Sequence, residues 1–250
     1  MAGEHIVRSY DEELKRLDRL IAEMGGRAEA QLAAAVQALV RRDTQTAAQI
    51  VEQDAAIDAL ETDVDVLAVR LLALRQPMAG DLRGVVGAIR IAGDLERIAD
   101  YAANLAKRTM ALGRMPTVPA ARGIPRMSRP VESMIKDVLD AYVNRDVAKA
   151  IDVWKRDSEV DDLYNSLFRE LLTYMMEDPR NIGAGTHLMF AAKNIERIGD
   201  HVTNIAETIH FLVTGERLTE ARPKSDRSSF EVVEPPLKTA GRRSEGEDRW

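Results

Sequence analysis

Of the carboxylate pairs that stand four residues apart in this sequence, four recur at matching places: Asp54 and Asp58, Glu96 and Asp100, Asp157 and Asp161, Glu196 and Asp200. Two of the pairs lie in near-identical stretches, DLERIADYAANLAKR from Asp94 and NIERIGDHVTNIAET from Asn194, and each stretch runs on to an asparagine, Asn104 or Asn204. Residues i and i+4 of a helix are neighbours on one face, and like charges there cost about 0.2–0.5 kcal/mol per pair. Repulsion repeated four times calls for a compensating partner. Oxygen donors converging from two antiparallel helices suit a hard or borderline cation: Mg²⁺, Mn²⁺, Ca²⁺ or carboxylate-bound iron, with zinc less favoured in the absence of His or Cys ligands. Ala99, Ala103 and Gly199 are small, and the expectation is that they leave the carboxylates open from the side. Two competing readings stand beside the metal. The stripe is a solvated polar face, or Arg97 and Arg197, three residues before Asp100 and Asp200, satisfy it as internal ion pairs.

The elements that must position these residues are helices. In the second helix Ile57, Leu60, Val64, Leu67 and Leu71 follow one another at alternating spacings of three and four, and in the third Ile91, Leu95, Ile98, Ala102 and Leu105 do the same. The nine prolines leave long proline-free runs in which such helices can extend. Three helices are expected between residues 4 and 112, broken near Arg41 and Pro77, with Asp43 and Asp81 as candidate N-caps. Residues 113–130 hold four prolines and read as a linker. A second set of three helices is expected over 131–216, and 217–250, polar and without period, reads as a disordered tail. The motif offsets of 100 and 103 residues (196 − 96 and 157 − 54) make the second set a copy of the first. The fold class expected is all-α, two tandem three-helix bundles related by internal duplication.

Composition excludes several functions. With a formal charge of −6 in 250 residues, the chain offers no net basic footprint for nucleic acid. The absence of cysteine removes disulfides, thiolate metal sites and a cysteine nucleophile, and fits a reducing cytoplasm. No stretch approaches a membrane-spanning length of uncharged apolar residues, so the location expected is cytoplasmic, with peripheral association at the membrane only through partners. No P-loop, GxSxG, GxGxxG or HExxH motif occurs, which gives an enzyme little support. The ETIH segment, Glu207 to His210, has the ExxH spacing of di-iron bundles, but its counterparts in the first copy are Lys107 and Met110. It reads as a chance match.

The stretches LLALRQPMAGDLRGVVGAIRIAGDLERIADYAANLAKR from Leu71 and EDPRNIGAGTHLMFAAKNIERIGDHVTNIAE from Glu177, with EMGGRAE at Glu23, resemble the two halves of the PhoU family of phosphate-transport regulatory proteins across residues 4–216. The resemblance implies a PhoU-like pair of bundles carrying multinuclear metal sites, iron or zinc by family and manganese or magnesium as further candidates. One site would use Asp54, Asp58, Glu96 and Asp100, and the other Asp157, Asp161, Glu196 and Asp200, with Asn104 and Asn204 as additional candidates. It also implies a homodimer and a negative regulator of phosphate uptake and phosphate-starvation signalling. The partners implied are a sensor histidine kinase and the ATPase subunit of a phosphate-specific ABC transporter. A metal-independent helical scaffold and a carboxylate-bridged metalloenzyme are the alternatives.

Overall fold

The computed structural model describes residues 2–220, with side chains from residue 10 onward. The expected tail lies, from residue 221 on, outside the described residues. Eight α-helices follow one another: α1 (Ala2–Arg41), α2 (Thr44–Gln53), α3 (Ala55–Arg75), α4 (Ala79–Leu112), α5 (Gly123–Asn144), α6 (Val147–Lys155), α7 (Asp157–Glu177) and α8 (Ile182–Thr214). Because α2 runs into α3 and α6 into α7 with a one-residue break, each half is three rods, α1, α2–α3 and α4, then α5, α6–α7 and α8.

The apolar stripes explain the packing. Ile57, Val64, Leu67 and Leu71 are buried along α3, and Ile91, Leu95, Ile98, Ala102 and Leu105 along α4. The rods α4 and α8 form the central seam. Arg83 lies at Leu212, Gly87 at Thr208 and Leu212, Asp94 at Asn204 and Arg108 at Phe190, so the two run antiparallel. Their apolar faces merge both bundles into one continuous core. At the middle of the seam the rings of Tyr101 and His201, equivalent positions in the two copies, meet at 5.7 Å. His201 Nδ1 and Asp94 Oδ1 are 2.8 Å apart, which gives this histidine a polar partner across the seam.

Both halves repeat one turn between first and second rod. Arg42 and Arg145 sit in the left-handed region at φ 56° and 53°. The next amides, Asp43 and Asp146, donate to the Ala38 and Ala141 carbonyls at 2.9 Å, the reach-back bond that closes a helix C-terminus. The same aspartates then cap the following helix, Asp43 accepting from the Gln45 and Thr46 amides and Asp146 from Lys149. Asp81 does not cap α4: Met78 holds the N-cap position and Asp81 lies inside the first turn, where its charge complements the helix dipole.

The expected 113–130 linker is shorter than the prolines suggest. Pro119–Arg122 form a 3₁₀ turn, and α5 starts at Gly123, eight residues before the expected start of the second bundle. Pro125 falls in the first turn, where an amide has no intrahelical acceptor to lose. Pro130 lies inside the helix and forfeits a bond to the Arg126 carbonyl. Burial of Ile124, Met127, Val131, Met134, Ile135 and Val138 on one face outweighs that loss.

Candidate acidic site

The breaks in the second rods set the geometry of the acidic motifs. Asp54 is the break between α2 and α3 and Asp58 lies in the first turn of α3, while Asp157 opens α7. Each DxxxD pair therefore begins at a fresh helix N-terminus, whose partial positive charge offsets part of the carboxylate repulsion. A continuous 32-residue rod would supply no such terminus there.

In the first patch, Gln31 Nε2 of α1 donates to Asp54 Oδ1 at 2.9 Å and to the Ala99 carbonyl at 3.1 Å, which ties α1, α3 and α4 together. Burial, then the charges of Asp100 and Asp58, push the Asp54 carboxyl above its ordinary range against the pull of that hydrogen bond. Glu96 is likewise raised by burial and then by Asp100, with Arg97 opposing. Arg97 answers the competing ion-pair reading weakly, at 3.5 Å from Glu96 and 3.8 Å from Asp100 with its own side chain mostly in water.

Glu61 joins this patch, and a search restricted to duplicated pairs misses it, because Tyr164 and Phe168 hold the places of Glu61 and Asp65 in the second copy. It is three residues beyond Asp58, its Oε1 lies against the open space at Gly93 of α4, and its carboxyl is raised by burial and then by Asp65 and Asp58. The i+3 relation to Asp58 and the i+4 relation to Asp65 were the available signals. In the metal-free chain, Glu61→Gln is expected to raise the melting temperature at pH 7 by about 1–2 °C, corresponding to several tenths of a kcal/mol of relieved like-charge repulsion. The sign follows from linkage. A carboxyl raised in the folded state holds its proton where the unfolded chain has lost it, so stability falls as pH rises through the interval above the ordinary value of 4.5. The Gln variant escapes that fall, and its advantage should vanish in melts recorded below pH 4.5; a gain that persists there would mean the effect is not electrostatic.

The second patch is drier. Asp157, Asp161 and Glu196 are exposed by 2%, 3% and 5%, with Asn165 buried beside them, whereas Asp58 of the first patch is exposed. Lys193 Nζ stands 2.9 Å from Glu196 Oε1 and 4.9 Å from the centre of the Tyr164 ring, placing a cation within the patch. Asp200 is half-buried one turn beyond Glu196.

The small residues do not open a flank. Ala99, Ala103 and Gly199 are buried, and a Cβ on Gly199 would touch Val160 and Asp157 at 3.5 and 3.8 Å. They let α4 and α8 approach their neighbours closely. Asn104 and Asn204 stand one further turn along, each four-residue step overshooting a turn by about 40°. Asn204 donates to Asp94 across the seam at 3.3 Å, and Asn104 accepts from Lys107 at 3.3 Å. Glu207 accepts from the Trp154 indole at 2.9 Å and His210 faces the Glu216 carbonyl, so the ETIH pair serves packing.

The donor sets, carboxylate oxygen almost throughout, fit a hard cation in kind. Among the described residues no three His, Cys, Asp or Glu side chains gather tightly enough to hold one as they stand. No described helix is long and apolar enough to cross a membrane.

Comparison with known proteins places the fold. A family model described as the PhoU domain matches twice, over residues 21–109 and 124–209. A Caulobacter vibrioides protein named phosphate-specific transport system accessory protein PhoU homolog is 53% identical over 224 residues, covering 89% of this chain and 97% of its own. A Rhizobium meliloti protein of the same name is 50% identical over 237 residues, covering 92% of this chain and 97% of its own. The crystal structure of PhoU from Pseudomonas aeruginosa superposes with a TM-score of 0.80 at 38% identity, over 83% of this chain and all of that one.

Proposed function

Because the chain belongs to the PhoU family, we propose that it is a negative regulator of phosphate uptake and of phosphate-starvation signalling. In this reading it acts as an adaptor between the ATPase subunit of a phosphate-specific ABC transporter and a sensor histidine kinase. The coarser role stands on the relatives, which are named as accessory proteins of a phosphate transport system and not as enzymes. The single observation that carries the finer reading is the double match, both helical repeats with all eight motif carboxylates in place.

An adaptor works by differential affinity. A surface that binds the kinase better in its signalling-off state moves the population toward that state by the ratio of the two affinities. The two acidic faces are the features each bundle repeats, and in this proposal they carry metal ions. Asp54, Asp58, Glu61, Glu96 and Asp100 would hold one set, and Asp157, Asp161, Glu196 and Asp200 the other. The cation would supply charge neutralisation, offsetting the burial and, after it, the mutual repulsion that raise the first-patch carboxyls. The protein's own side chains orient the donors: Gln31 fixes Asp54, and Lys193 fixes Glu196.

Deleting the gene in its host is expected to raise phosphate-regulon reporter expression several-fold in phosphate-replete medium, with restoration by the wild-type chain. Unchanged reporter expression in a strain with no second copy would sink the regulatory reading.

A further inference from the structure

A cavity lies away from both acidic patches, at the junction of the two halves. It measures about 520 Å³, within the range of small-molecule sites. Leu39, Leu112, Val118 and Leu188, all buried residues, contribute aliphatic surface to it from α1, α4, the crossover segment and α8. Pro116, Pro119 and Pro125 line it as well, and none of them has an amide proton to offer a peptide backbone.

Its other wall is basic. Arg122, Arg126 and Arg129 line the cavity at spacings of four and three residues, a row about 10 Å long on one face of the start of α5. All three are exposed, and among the described residues none makes an ion pair. Arg42 also lines the cavity, but it is committed to the fold. Its guanidinium donates to the Leu112 and Met115 carbonyls and, at 2.7 Å, to Thr117 Oγ1. The row is unfavourable for the chain alone. Like charges one turn apart repel, and they stand at a helix N-terminus with no acidic residue in its first turn.

The geometry points to a binding site for an anionic amphiphile, a single aliphatic chain ending in a phosphate or carboxylate. The chain would fill the Leu, Val and Pro surface, and the head would meet the arginine row. A bare anion leaves the aliphatic surface wetted, and a neutral apolar ligand leaves the arginines uncompensated. An acyl chain needs no hydrogen bonds from the proline wall. The inference is independent of the regulatory role and of the metal sites, because no residue is shared.

Isothermal titration of the full chain with decyl phosphate, below its micelle concentration, should show one saturable site. Decanoate should compete, while inorganic phosphate and decyl maltoside should not. The triple variant Arg122→Gln, Arg126→Gln, Arg129→Gln should weaken binding at least tenfold. Val40→Trp should weaken it as much with every arginine in place, because Val40 lines the cavity with half its surface exposed and can change without disturbing the core. Unchanged helical circular dichroism and melting show that both variants fold. Flotation with phosphatidylglycerol–phosphatidylcholine vesicles separates the sources. Co-flotation lost in Val40→Trp assigns a bilayer lipid, and decyl phosphate binding without flotation assigns a soluble amphiphile. The proposal is overturned by the absence of saturable binding, by equal binding in either variant, by inorganic phosphate binding as tightly, or by a Leu/Glu-rich peptide binding more tightly.

Discussion

Gly25→Val is expected to destabilise the folded chain by about 2–3 kcal/mol, lowering the melting temperature by about 5–10 °C, while Gly26→Ala raises stability by about 0.5–1 kcal/mol. Adjacent glycines in the middle of α1 thus carry opposite signs. A Cβ on Gly25 would fall inside the Leu139 side chain of α5, with Leu139 Cγ at 3.0 Å, so valine forces apart the contact that joins the first rods of the two halves. Gly26 is exposed with nothing within 4 Å of its Cβ position, and alanine there only recovers the conformational freedom that glycine loses in a helix. Paired thermal and urea melts decide it. A stable Gly25→Val protein would mean that α1 and α5 part without cost.

The second large effect concerns metal content. Elemental mass spectrometry of the untagged chain should find several iron, zinc, manganese or magnesium ions per molecule. The count should be roughly halved in Asp54→Asn/Asp58→Asn/Glu96→Gln/Asp100→Asn. The two patches should also differ in exchange. The first, with Asp58 exposed, should yield its ions to a chelator quickly, and the second, with Asp157, Asp161 and Glu196 buried, slowly. Occupancy at a hundredfold excess over Kd contributes about 2.7 kcal/mol per site, about 5–10 °C in melting temperature for a chain of this length. Wild-type protein that stays metal-free after incubation with these ions would remove metal from the proposal and leave two acidic docking faces.

Much of the fold was legible because it rests on local rules. The stripes on α3 and α4, the Asp43 cap and the turn at Pro77 follow from periodicity and capping chemistry. The start of α5 was not, because Pro125 and Pro130 weigh against a helix locally and only tertiary burial of the face from Ile124 to Val138 reverses the balance. The breaks at Asp54 and at Arg156 were likewise hidden, since DAAID and DSEVD read as continuous helix. Without those breaks the helix termini beneath the motifs cannot be anticipated. Glu61 was missed because only pairs repeated in both halves were followed, and Glu61 with Asp65 gives way to Tyr164 with Phe168 in the second. Ala99 and Gly199 were misread as openings because small size permits either access or close packing, and only the position of the adjoining helix decides.

The seam between α4 and α8 bears on the history of the molecule. On one side Asp94 meets His201 and Asn204, a charged set. The equivalent positions on the other side are Asn194, Tyr101 and Asn104, which carry no charge, and Asn194 keeps a buried amide nitrogen without a partner. A duplicated gene first yields two identical subunits on a tether, each able to replace the other. Here the mating surfaces have since been rewritten as a lock and its key. Two first halves would confront Asp94 with a tyrosine, and two second halves would leave His201 without its carboxylate. The chain is a heterodimer in a single polypeptide, its two members matched at the seam by Asp94 and Tyr101 from one and His201 and Asn204 from the other.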